Sequence, residues 1–259
     1  VATLRRLAHW IQSWESEDLV TGTTKPLGAE DAWYLFNLQS EEARLDGDPV
    51  TGGAADIYKC FDQLQLGLLG DLLKEAGFPS GPLRAYQNFQ AKCLYRNSVA
   101  GGIGVEHEHP CGIPQGCPLS MMLIAFLLHP WARMVRDIGA IPRSLADDLL
   151  VYAIGTGHLE IVQQAYAATF AYMHALGAKI SAEKCYTFSS CPQARRALRD
   201  RFWISIDARS RSPCATSVAI SILAPGCVAP LSTTGLLEPL SSANAWRLGP
   251  GCGRTSRGW

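Results

Sequence analysis

Ser144-Leu-Ala-Asp147-Asp148-Leu-Leu-Val-Tyr-Ala-Ile154 is the stretch on which the fold turns. Apolar residues flank two adjacent carboxylates, and this predicts two short β-strands joined as a hairpin around the acids. A turn built from Asp-Asp for structural reasons usually carries Gly or Asn beside it, and neither is present. Adjacent carboxylates between apolar runs repel each other and lose hydration. A positive partner is therefore expected, and a hard divalent cation is the economical choice.

Working outward, Asp56 has a similar setting. Thr51 to Tyr58 reads as a short strand entered through Gly52-Gly53, with Asp56 near its end. If this strand pairs beside the hairpin, Asp56 and Asp147 face each other across the sheet, within about 3–6 Å. Two strand-borne carboxylates sharing a pair of Mg²⁺ ions make a clamp for in-line phosphoryl transfer.

The surrounding pattern mixes helices and strands. Glu30 to Glu42 has a loose apolar face. Asp62 is placed to N-cap a helix carrying Leu64, Leu68, Leu69, Leu72, Leu73 and Ala76 before Gly77. Gly101 to Cys111 reads as extended, and Ser120 as the cap of an apolar helix kinked or interrupted at Pro130. Leu159, Val162, Tyr166, Phe170, Met173 and Leu176 follow helical spacing up to Gly177, and Cys185 to Ser189 returns as a strand. The expected class is α+β, an antiparallel sheet covered by helices on one face.

Composition narrows the function. The 259 residues hold 23 Lys+Arg and 23 Asp+Glu, so the formal net charge is zero. That excludes a nucleic-acid binder steered by its overall field, though not one with a local basic channel. A hydrophobic fraction of 47% with 18% charged residues excludes a disordered chain. The longest apolar run, Met121 to Leu128, is far too short for a membrane helix, so no membrane partner is expected. With no basic-then-apolar leader and an odd set of nine cysteines lacking Cys-x-x-Cys, an intracellular setting is expected, nucleus or cytoplasm unresolved. His107, His109, Cys111 and Cys117 form a candidate zinc cluster, although on one strand such ligands splay about 7 Å apart.

Four segments together resemble reverse transcriptases of the kind found in non-LTR retrotransposons and group II introns. Asp56-Ile-Tyr-Lys-Cys-Phe-Asp62-Gln-Leu is similar to their motif A, and Gly112-Ile-Pro-Gln115-Gly116-Cys-Pro-Leu-Ser120 to motif B. Leu145-Ala-Asp147-Asp148 is similar to motif C, with Leu where Tyr or Phe is usual, and Leu176-Gly177-Ala-Lys179-Ile-Ser-Ala-Glu-Lys184 to motif D. The resemblance covers roughly residues 27 to 190 and implies a polymerase palm with partial fingers. It implies RNA-directed DNA polymerisation: transfer of a nucleotide from dNTP to a DNA primer on an RNA template, with two Mg²⁺ ions, or Mn²⁺ as substitute. Asp56, Asp147 and Asp148 match the metal ligands, and Phe61 the residue that floors the sugar pocket. Gln115 matches the residue that touches the incoming nucleotide, and Gly116 the glycine that lets the backbone approach it. Lys184 matches the lysine that protonates pyrophosphate, with Lys179 as the alternate.

The chain departs from the pattern at both ends. Before Asp56 it offers only Arg5, Arg6, Lys25 and Arg44 as bases, none in a matching context for triphosphate binding. From Arg209 to Trp259 there is no Lys, no Asp and one Glu, Glu238, and no primer-grip motif or thumb is visible. The expected division is residues 1–50 as partial fingers, 51–208 as palm and 209–259 as a low-order Ser/Gly/Pro-rich tail, the whole a fragment of a longer retroelement protein. Arg195, Arg196, Arg199 and Arg201 read either as a phosphate grip or as an exposed helix face. Two other readings stand beside the polymerase: a decayed, inactive copy that only binds nucleic acid, and a zinc-dependent binding module at His107 to Cys117.

Overall fold

The computed structural model describes residues 2–20, 28–108, 111–114 and 116–199. In chain order its elements are α1 (Ala2–Gln12), β1 (Leu19–Val20), α2 (Ala29–Asp46), β2 (Val50–Asp56), α3 (Cys60–Gln63), α4 (Leu66–Glu75) and α5 (Ser80–Ala91). Four two-residue strands follow: β3 (Leu94–Tyr95), β4 (Ser98–Val99), β5 (Gly102–Ile103) and β6 (His107–Glu108). Then come α6 (Ser120–Asp137), β7 (Ile141–Leu145), β8 (Asp148–Ile154), α7 (His158–Ala175), a 3₁₀ turn (Ala182–Lys184) and β9 (Tyr186–Ser189). The fold is α+β.

The main sheet has the order β1-β7-β8-β2-β9, antiparallel except where β1 joins β7. The expected hairpin is β7–β8, and β2 lies beside it in a register running from Val50↔Ile154 to Asp56↔Asp148. The glycine pair within β2 answers to aromatic rings on both faces. A Cβ on Gly52 would lie 2.4 Å from Cζ of Phe188 and 2.9 Å from Cβ of Tyr152. One on Gly53 would lie 2.6 Å from Cε2 of Tyr166 on the opposite face.

Alternation along β2 and β8 then sorts the sheet. Ala55, Ile57, Leu149 and Val151 turn toward α6 and α7 and join the core with Phe126, Trp131 and Tyr166. The Trp131 indole donates to Thr169 Oγ1 at 2.9 Å, which satisfies a buried polar group between the two helices. Trp10 and Trp14 of the N-terminal segment pack edge-on to each other and against Phe126. On the other face, Phe36 of α2 packs against Tyr152 and Phe188, with ring centroids 5.0 and 5.5 Å away. Asp56 and Asp148 share that second face, four residues along from Gly52 and Tyr152.

Three local expectations are corrected. Asp62 lies inside α3, and α4 starts separately at Leu66 with Gln65 at its N-cap. Extended backbone at Leu64 (φ −64°, ψ 125°) keeps the two helices apart. Ser120 is the first residue of α6 rather than its cap, which is Leu119. Helix α6 also runs without interruption through Pro130 to Asp137, which removes the interrupted alternative. The proline removes one backbone donor, but residues buried on both sides of it hold the helix in place.

A buried ion cluster that the sequence did not single out ties β1 to β7. Asp18 accepts from Arg143 Nη1 at 2.6 Å, and from Arg136 Nε at 2.9 Å and Nη2 at 2.5 Å. Asp18 and Arg143 are 6% and 4% exposed, so each is the other's necessary counter-charge. Among the described residues, no helix is long and apolar enough to cross a membrane.

Candidate active site

Sheet register brings the three acids to one place. Asp56 ends β2 and Asp148 begins β8 directly across from it. The sequence pattern places Asp147 opposite Asp56, but the register does not: Asp147 occupies the β7–β8 turn with Ala146, whose φ is +53°. Its backbone carbonyl accepts from the Ile57 N–H at 3.2 Å, which fixes the turn against the end of β2. Burial raises the Asp148 carboxyl above the usual carboxylate range, the negative charges of Asp147 and Asp56 raise it further, and Lys184 opposes them. The acids therefore feel one another, and the site is short of positive charge.

Lys184 reaches this site from the 3₁₀ turn. Its Nζ lies 3.0 Å from Oδ2 of Asp56, and the hydrogen bond and charge of Asp56 raise its pKa above the ordinary lysine value. The supporting segment is stapled to β2: the Ser181 N–H donates to the Asp56 carbonyl at 2.8 Å, and Ile57 bridges to Ile180. Lys179 contributes its backbone, accepting from the Tyr58 N–H at 2.9 Å and donating to Gln63 Oε1 at 3.0 Å. Its side chain is exposed.

Cys60, to which the sequence reading gave no role, lies beneath the acids. It is 6% exposed, and burial, Asp147 and Asp56 together push its thiol up to about 12. Its place between Lys59 and Phe61, within the motif that carries Asp56, was the signal available. Phe61 is half-buried and packs against the edge of the core.

The glycine-bearing loop before α6 docks on α3 through backbone contacts. The Gly112 N–H donates to Leu64 O and the Ile113 N–H to Phe61 O, both at 2.7 Å. Gly112 has φ +92°, and a Cβ there would lie 2.9 Å from Phe61 O and 3.0 Å from Asp62 Cα. Gly116 also has positive φ, +85°, but faces open space. Gln115 lies outside the described residues, as do His109, Arg201 and the segment 209–259.

Other sequence candidates are dispersed. His107 pairs in β6 with Tyr95, the Cys111 thiol donates to the Asp62 carbonyl at 3.3 Å, and Cys117 packs against the core. Arg195 bonds the carbonyls of Ser189 and Ser190 at 2.8 and 3.0 Å, while Arg196 and Arg199 are exposed. Among the described residues, no three His, Cys, Asp or Glu side chains converge as a ready-made metal-ligand group. The donor chemistry at Asp56, Asp147 and Asp148 nevertheless fits a hard divalent cation: oxygen ligands, mutual repulsion and an unmet need for positive charge. What departs from a ligating arrangement is Asp56, which is engaged by Lys184.

A family model described as reverse transcriptase (RNA-dependent DNA polymerase) matches residues 20–214. No curated protein matches the sequence. Among solved structures, the fold is similar to apo telomerase from Candida tropicalis truncated from its C-terminal domain, with TM-score 0.53 and 15% identity over 73% of this chain. It is also similar to Candida tropicalis telomerase in complex with a fragment of telomeric RNA, with TM-score 0.51 and 14% identity over 74% of this chain. The chain spans 40% and 34% of the lengths of those two proteins, and at such identities the likeness is one of fold. On the extent of the family match, which runs from β1 through all three acids and past Lys184, the chain belongs to the reverse transcriptase (RNA-dependent DNA polymerase) family.

Proposed function

We propose that this chain carries the palm of an RNA-directed DNA polymerase from a retroelement, extending a DNA primer on an RNA template from dNTPs. The observation that supports it most is the meeting of three motif segments at one sheet end. Asp56 is in register with Asp148, the turn of Asp147 is bonded to Ile57, and Lys184 is paired to Asp56.

In this reading Asp56, Asp147 and Asp148 hold two Mg²⁺ ions, or Mn²⁺ in their place. Bound there, such ions would supply the charge that lowers the pKa of the primer 3′-hydroxyl and stabilises the departing pyrophosphate. The chain's own residues do the rest. Phe61 floors the sugar, Gln115 and Gly116 meet the incoming nucleotide, and the Lys184 ammonium donates a proton to the pyrophosphate oxygen. In this reading the palm is residues 51–208 and the partial fingers are 1–50, from which β1 joins the palm sheet beside β7 and α1 packs against its core.

Primer extension on an RNA template, with Mg²⁺ or Mn²⁺, tests this. In a protein that joins this palm to complete fingers and thumb, the unsubstituted palm is expected to extend the primer. Asp147→Asn should abolish extension while template binding stays within about twofold, since a metal ligand acts on the transition state rather than on uniform binding. Extension that survives Asp147→Asn in that complete protein, or template binding there without any extension by the unsubstituted palm, would refute the assignment.

A further inference from the structure

We propose that Lys184 is a displaceable counter-ion for Asp56: its ammonium occupies the position that a divalent cation must take at this carboxylate. The inference rests on the metal-ligand role proposed above for the three acids. Lys184 Nζ is 3.0 Å from Oδ2 of Asp56, a charge-assisted hydrogen bond to an oxygen that a metal would need. The two partners differ in their freedom. The Asp56 side chain is 13% exposed and sits at the end of a paired strand, whereas that of Lys184 is 67% exposed on a flexible stem. The carboxylate is fixed, and the ammonium can leave.

The backbone keeps the ammonium at hand. Ser181 N–H bonds the carbonyl of Asp56 itself at 2.8 Å, and Lys184 N–H bonds Ser181 O at 3.1 Å. The lysine thus starts from a turn fastened to the residue it neutralises. One ammonium cannot neutralise three neighbouring carboxylates, so the pair screens Asp56 without satisfying Asp147 and Asp148. A divalent cation held by the acids would outcompete it and free the ammonium at the edge of the site, where the proposed reaction uses it. Metal loading and release of Lys184 are then one exchange.

Binding of Mn²⁺ alone, followed by electron paramagnetic resonance of the free ion without nucleic acid or dNTP, reads this exchange separately from activity. Competition with an exposed ion pair predicts that Lys184→Met binds Mn²⁺ about two- to fivefold more tightly than wild type. Lys184→Arg, which keeps the pair, should stay within about 1.5-fold, as should Lys179→Met, which removes a nearby charge not bonded to Asp56. Lys184→Gln repeats the test should the methionine variant fold poorly by circular dichroism. Equal or weaker binding in both Lys184→Met and Lys184→Gln overturns the exchange while leaving the metal site standing, as does an equal gain in Lys179→Met. Absence of Mn²⁺ binding in wild type and in both variants, or affinity unchanged by Asp56→Asn, overturns the metal site and the exchange together.

Discussion

Gly112→Ala offers a sharp test of the loop docked on α3, with Gly116→Ala as its internal control. Both glycines have left-handed backbone, φ +92° and +85°. An L-residue there carries roughly 1–2 kcal/mol of strain, so both variants should lose that much. Only Gly112 also lacks room: the new methyl would sit 2.9 Å from Phe61 O and 3.0 Å from Asp62 Cα and O. These are backbone atoms of α3 and cannot rotate aside. Overpacking adds about 1–3 kcal/mol, for a total of about 2–5. Releasing the loop offers no easy escape, because it breaks the Gly112–Leu64 and Ile113–Phe61 hydrogen bonds and exposes Ile113, now 2% exposed. Urea unfolding followed by tryptophan fluorescence should place Gly112→Ala about 1 M below Gly116→Ala in midpoint, given slopes of 1–3 kcal/mol/M. Equal midpoints for the two variants would refute the close approach.

Phe61→Ala should relax the preference for dNTP over rNTP by roughly 10- to 200-fold with far less loss of extension than Asp56→Asn. An unchanged ratio in an active variant returns Phe61 to the core edge. Burial, reinforced by Arg133 and opposed by Asp18, lowers the His129 pKa to about 4. An unfolded histidine takes up its proton near 6.5, so the unfolded state binds it first, and stability should fall as pH drops from about 6.5 toward 4. The loss is at most about 3 kcal/mol, and urea unfolding of His129→Gln should show a visibly flatter dependence across that window. An identical slope in the variant would acquit the histidine. Asp18→Ala should cost about 3–5 kcal/mol by stranding the buried Arg143 guanidinium, and a loss under 1 in the same assay would contradict the ion cluster.

The hairpin around Asp147-Asp148, the strand that carries Asp56 and the helix before Gly177 are legible because each is a local pattern. Short apolar runs and helical spacing need no distant partner to be read. Motif order went further, since Asp56, Phe61, Gly112, Asp148 and Lys184 carry a pattern that survives without coordinates. Register was not legible. That Asp148, and not Asp147, stands opposite Asp56 depends on where β7 turns, and Ala146 takes the left-handed φ that sets the turn one residue early. The split of α3 from α4 escaped notice for a related reason: Gly112 and Ile113, nearly fifty residues downstream, claim the carbonyls of Leu64 and Phe61. Nothing in the neighbouring residues marks Asp18 for burial against Arg143, and the effect of Asp147 on Cys60 arises only because the β7–β8 turn lies against the end of β2. Lys184 and Asp56, 128 residues apart, meet because residues 180–181 pair back onto the end of β2. Local periodicity is written into neighbouring side chains, whereas the pairing of charges and carbonyls across the chain exists only once burial has chosen which strands lie side by side.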